Sequence, residues 1–185
     1  QQQGSRRFSD IKLEVPPIPV PKGKDILSTQ EGFGRILANL ALSKAELVKR
    51  IVTTSPDVTV STNLGGWINR TGIFSRNPIP SSSQESEVQS FQKWEQKPSG
   101  QHFELGIAEN NLFLMLAAMG LSHELFGKRL IPIATLYDPF IYRGLDALNY
   151  ACYQDARFIL AATPSGISLA PEGGAHQSIG TPLVG

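Results

Sequence analysis

The sequence predicts an α/β domain of three layers, with a mostly parallel central sheet and helices on both faces. Three observations carry this. Apolar and β-branched runs at 51–54, 102–105, 130–136 and 157–162 read as strands. Helix-length segments at 108–123 and 142–154 separate the later ones, as crossovers between parallel strands require. Of the 185 residues, 41% are apolar and 18% charged, a folded balance with no run long enough to cross a bilayer.

Taken in order, residues 1–27 carry Val15-Pro16-Pro17-Ile18-Pro19-Val20-Pro21, a proline density that imposes an extended, helix-free arm or linker. The domain proper is expected at 28–185. Ser28-Thr29-Gln30-Glu31 is a capping box, and Phe33, Ile36, Leu37 and Leu40 follow on one helical face. Ser43 to Glu46 repeats the box spacing and predicts a short second helix before the strand at 51–54. From 65 to 100 the periodicity dissolves into Ser, Gln, Glu and Pro. This stretch is expected to be a long surface excursion, with one short helix near 88–94. The segment at 108–123 is apolar almost all round, so it is expected to face both the sheet and a second domain or subunit.

In a parallel α/β sheet, ligands bind beyond the carboxyl ends of the strands. Three segments reach that edge: 106–109, 137–140 and 163–178. They bring Glu109, Tyr137, Asp138, Phe140, Glu172 and His176 toward one rim. Glu109 falls in the first turn of its helix, where backbone N–H groups and the helix dipole gather. From the residues alone, capping is the commoner explanation of such an acid. A core phenylalanine and an ordinary loop histidine are likewise the commoner readings of Phe140 and His176. Asp57 is as well explained by an Asx turn as by a ligand. His102 and His123 fit no motif.

The net charge of +1 lacks the basic excess of a nucleic-acid binder. The single Cys152, among Tyr150, Ala151 and Tyr153, excludes an intrachain disulfide and a cysteine-based zinc site. It reads as a buried, inert thiol in a reducing, cytoplasmic compartment. No helical His-x-x-x-His or comparable cluster marks a metal site, and Thr163-Pro164-Ser165-Gly166 is no nucleophile elbow. With no initiator methionine and no polar tail, the chain is expected to be a fragment of a longer one.

Several motifs stand in a recognisable order. Gly106-Ile107-Ala108-Glu109 is similar to a Gly-Ile-x-Glu turn. Tyr137-Asp138-Pro139-Phe140 is similar to a ring-stacking aromatic segment, and Glu172-Gly173-Gly174-Ala175-His176-Gln177 to a Glu-x-Gly-x-x-His-Gln loop. Ser55-Pro56-Asp57-Val58 resembles a Ser-Ala-Asp-Leu turn. In this order they resemble the pyrimidine-binding domain of the transketolase superfamily of thiamine-diphosphate enzymes. The resemblance runs from about Ser28 to the end, with 65–100 unmatched. The helix Arg143-Gly144-Leu145-Asp146-Ala147-Leu148-Asn149-Tyr150-Ala151, followed by Gln154-Asp155-Ala156-Arg157, is most similar to the homodimeric type of pyruvate dehydrogenase decarboxylating component.

The resemblance implies a role for each matched residue. Glu109 would bond the cofactor's aminopyrimidine and drive formation of its nucleophile. Phe140 would stack on that ring, Tyr137 would line the pocket, Asp57 would reach the cofactor from the first strand, and His176 would offer a proton to the reacting centre. It implies thiamine diphosphate and magnesium as cofactors. The magnesium and diphosphate motif, Gly-Asp-Gly followed by Asn-Asn, is absent here, and Asn110-Asn111 does not replace it. The magnesium ligands are therefore expected on a domain outside this chain, which would be inactive alone. The implied reaction is decarboxylation of a 2-oxo acid, pyruvate first, with acyl transfer to a lipoyl carrier. Ketol transfer between sugar phosphates and a non-catalytic interaction domain are the alternatives. The implied partners are a second copy in a homodimer, the diphosphate-binding domain and a lipoyl acyltransferase, with no nucleic acid and no membrane.

Overall fold

A computed structural model describes residues 13–18, 26–43, 45–77, 94–163, 173–178 and 180–184. Among these residues six strands form one sheet: β1 (Ile51–Ser55), β2 (Ile73–Phe74), β3 (Gln96–Lys97), β4 (His102–Glu104), β5 (Ile131–Leu136) and β6 (Ile159–Ala162). Their order is β3-β2-β4-β1-β5-β6, and every adjacent pair is parallel. Among the described residues, five α-helices surround it: α1 (Thr29–Leu40), α2 (Gly65–Thr71), α3 (Glu109–Gly120), α4 (Ser122–Phe126) and α5 (Leu145–Tyr153).

The three layers follow from alternation along the strands. Successive strand residues point to opposite faces. Ile51 and Ile133 pack with Leu37 and Leu40 of α1 and Trp67 and Ile68 of α2. Their neighbours Val52 and Ala134 pack with Leu112, Phe113 and Leu116 of α3 and Ala147 of α5. Both faces are covered, so β1 is buried along its whole length. Its polar members are paired: the Thr54 hydroxyl donates to the Phe103 carbonyl at 2.8 Å, across the β1–β4 ladder.

Local signals act as the residues dictate at the start of the domain. Ser28 caps α1, its Oγ accepting from the Glu31 N–H at 3.1 Å. Elsewhere the structure corrects the sequence expectations. The Ser43–Glu46 spacing does not open an α-helix; Ser43 Oγ accepts from the Ala45 N–H, and a 3-10 turn at Val48–Arg50 leads into β1. The 65–100 stretch is not a surface excursion throughout. Its start forms α2 and β2, its end forms β3, and Trp67 and Ile68 are core residues. The short helix expected near 88–94 lies, up to residue 93, outside the described residues. The 108–123 segment is two helices, with Leu121 between α3 and α4. α3 is buried along one face rather than all round, leaving Leu114 exposed. Cys152 is exposed, not buried: Ala147 and Ala151 occupy the core side of α5 and turn the thiol outward. Of the Pro-rich arm, 13–18 are in neither helix nor strand, and the rest lies outside the described residues.

Candidate functional site

Because the strands are parallel, Ser55, Glu104, Leu136 and Ala162 end at one edge. Three turns leave that edge and build the site. After β4 the chain turns at Gly106, whose φ of 64° is left-handed and favours glycine. The turn delivers Glu109 as the first residue of α3, and only 5% of its surface is exposed.

After β5, buried Tyr137 leads into a 3-10 helix at Asp138–Gly144. Pro139 suits this start, where a missing N–H leaves no bond unmade. Side chains three apart eclipse in a 3-10 helix, which stacks Arg143 on Phe140. The Arg143 Cζ lies 4.0 Å from the Phe140 ring centroid. The same guanidinium donates from Nη1 to Glu109 Oε1 at 2.8 Å. Gly144 permits this approach: a Cβ there would strike the buried Phe113 ring of α3. The Asp138 N–H donates to Thr163 Oγ1 at 3.0 Å, tying the start of this helix to the end of β6. Asp138 is 3% exposed, and its Oδ2 is a buried acceptor with no hydrogen-bond partner among the described residues.

The third turn carries His176 at the end of a 3-10 turn, Gly174–His176. Its ring lies 4.9 Å from Tyr137 and 5.4 Å, edge-on, from Phe140, centroid to centroid. Tyr137 and Phe140 are 6.1 Å apart. Glu109, Phe140, Tyr137 and His176 thus join one cluster, linked by Arg143. Glu172 and the first part of its loop lie outside the described residues.

Asp57 is held elsewhere on the rim. It takes a left-handed φ of 62°, and its N–H donates to Glu104 Oε1 at 2.9 Å. Glu104 also accepts from the Leu105 N–H at 3.2 Å and from the Thr59 hydroxyl at 2.6 Å. Behind it sits His102, fully buried. Its Nδ1 is 2.9 Å from Thr53 Oγ1, and its Nε2 is 3.2 Å from Thr59 Oγ1 and 3.5 Å from Glu104 Oε2. Burial alone would raise the Glu104 carboxyl. The hydrogen bonds from His102, Thr59 and the Asp57 N–H, with the His102 charge, outweigh it and hold the group below its ordinary value. This network fastens the turn after β1 to the turn that presents Glu109.

Sequence reasoning missed Arg143 and Glu104 as site residues. Arg143 was legible as the i+3 neighbour of Phe140 in either helix type, but the helix was expected to start at 142, after Phe140. Among the described residues no group of three or more His, Cys, Asp or Glu is arranged to hold a metal ion. None of the described helices is long and apolar enough to cross a membrane.

No protein-family profile matches the chain. It is 27% identical to the pyruvate dehydrogenase E1 component of Corynebacterium glutamicum. The alignment runs over 187 positions, covering 97% of this chain and 20% of that protein. The chain therefore spans about a fifth of the length of this curated relative. The similarity is distant. It agrees with the sheet, whose parallel order fits the thiamine-diphosphate-binding type of fold.

Proposed function

We propose that this chain is the pyrimidine-binding part of a thiamine-diphosphate enzyme that decarboxylates a 2-oxo acid, pyruvate first, and passes the acyl group to a lipoyl carrier. The observation that carries this reading is that a buried carboxylate, Glu109, and an aromatic ring, Phe140, delivered from separate strand ends, meet across Arg143. An aminopyrimidine needs both, an acidic partner for its ring nitrogen and a flat apolar face. The residues fit the group: Glu109 Oε1 already engages a planar nitrogen donor that lies over the Phe140 ring.

When bound, the cofactor would supply the carbon nucleophile and the electron sink that decarboxylation needs. This chain's residues would do the rest. Glu109 would hold a proton between its carboxyl and the ring nitrogen. Phe140 would fix the plane of the ring, worth about 0.5–1.5 kcal/mol beyond buried area. Tyr137 would close the pocket wall. His176 would donate from its imidazole to oxygen charge on the substrate, a task suited to histidine near neutral pH. Asp57 would act from the first turn, positioned by Glu104. Magnesium and diphosphate would be held by a domain beyond this chain, facing the site across a homodimer, with a lipoyl acyltransferase as the onward partner.

The test is Glu109→Ala in the protein that carries this chain. Carbon dioxide release from pyruvate should vanish with the fold intact, and hydrogen–deuterium exchange at the cofactor's reactive carbon should slow by orders of magnitude. An unchanged exchange rate overturns the role of Glu109. Turnover of sugar phosphates in place of pyruvate overturns the substrate assignment, and no turnover of either favours an interaction domain.

A further inference from the structure

We propose that Arg143 competes with the pyrimidine for its own site, so that ring entry requires the guanidinium to swing out. The inference rests on the pyrimidine-site reading above and adds a gate to it. A planar group that both bonds Glu109 and stacks on Phe140 must lie between the carboxylate and the ring. Arg143 does both at once, with Nη1 at 2.8 Å from Glu109 Oε1 and Cζ at 4.0 Å from the Phe140 centroid. The bound ring and the guanidinium therefore claim the same carboxyl group and the same aromatic surface. Arginine is suited to this mimicry. Its guanidinium is planar, stacks on aromatic faces and presents N–H donors in its plane, as an aminopyrimidine does.

The pair is built to open on one side only. The Glu109 side chain is 6% exposed, fixed by the first turn of α3, whereas the Arg143 side chain is 51% exposed on a flexible stem. The movable partner is the arginine. While closed, it keeps a buried carboxylate paired, which otherwise carries the full cost of an unmatched charge. Once displaced, it returns to solvent at modest cost, since a half-exposed ion pair is weak and screened by salt. If the closed form holds nine molecules in ten, apparent affinity for the ring falls about tenfold.

The experiment is a titration of the 15N-labelled chain with thiamine, which carries the aminopyrimidine without the diphosphate. The Arg143 Nε–H resonance is identified by its loss in Arg143→Gln and should start shifted by the Phe140 ring current. On titration it should move to the position of exposed arginines as the Phe140 ring protons respond. Arg143→Gln should bind thiamine several-fold tighter than the native chain, and only the native chain should gain affinity as salt rises. If the Phe140 protons respond while the Arg143 signal stays, the ring enters beside the pair. The gate then falls and the pyrimidine site stands. If Arg143→Gln binds more weakly, the arginine is a ligand contact and the gate falls. If neither signal responds at millimolar thiamine, the pyrimidine-site reading fails and takes the gate with it. Should the variant not fold, through-bond assignment of the native chain identifies the Arg143 signal instead, and the two native signals still decide.

Discussion

Glu104 and Glu109 flank one turn and answer to different donors. Glu109 meets a single guanidinium, while Glu104 gathers two backbone N–H groups, a hydroxyl and the imidazole of His102. The Glu104 carboxyl is held below its ordinary value, so its contribution to stability is fully present above the unfolded-state value, near pH 4.5. It is lost as pH falls through the lower folded value. Glu104→Gln should therefore flatten the acid limb of the stability curve and lower stability at neutral pH by about 1.5–3 kcal/mol, the scale of hydrogen bonds to a charged group. Urea melts between pH 3 and pH 7 measure this; an unchanged acid limb would assign the acid loss elsewhere. Glu109 was legible in the sequence because a strand, a glycine and an acidic first turn are adjacent along the chain. Glu104 was not, because two of its four donors, Asp57 and Thr59, lie far away in sequence and only the β1–β4 pairing brings them near.

The 3-10 helix at Asp138–Gly144 is the element on which the site depends, since it carries Phe140 and Arg143 and ends where Gly144 meets Phe113. Gly144→Ala should force the helix from α3, separate Arg143 from Glu109 and cost about 1–3 kcal/mol, as overpacking does. Gly32, inside α1, has open space where a Cβ would go. Gly32→Ala should instead stabilise by about 0.5–1 kcal/mol, through helix propensity and a less free unfolded chain. Denaturant midpoints of the two variants should move in opposite directions; movement together would mean that the Phe113 contact is not limiting. Residues 142–144 read as the start of the next helix, at 142–154, because residues three and four apart give one signal in both helix types; the structure gives them to the 3-10 helix. α2 was legible in principle: Leu64, Trp67, Ile68 and Thr71 stand at i, i+3, i+4 and i+7, and all are buried. Seven residues with two leading glycines gave too short a window against the polar stretch beyond.

At the scale of the whole molecule, the two core clusters bury the sheet on both faces, yet α3 keeps an apolar stripe outside them. Leu114 and Ala118 are exposed along one side of the helix, with Ile107 before them, Leu125 beyond and the polar Asn111 in line with them. Leu114 is 53% exposed and Ile107 75%. The spacing, alternating three and four, is that of a seam between packed helices. Isolated apolar residues on a surface are ordinary, but a contiguous stripe marks an interaction surface. α3 carries no charged residue after the buried Glu109, so little on the helix itself opposes pairing of two copies across a twofold axis, where the same patch meets itself. The chain should therefore associate with micromolar or weaker affinity, since the stripe on one helix is short. Leu114→Glu should abolish association without loss of stability, because Leu114 makes no part of either core cluster. Met119 cannot serve as the probe: it is buried in the core, and a charge there would unfold the domain. Sedimentation equilibrium across a hundredfold concentration range is the measurement. A monomer at every concentration, unchanged by Leu114→Glu, would show that this stripe does not bind a second copy.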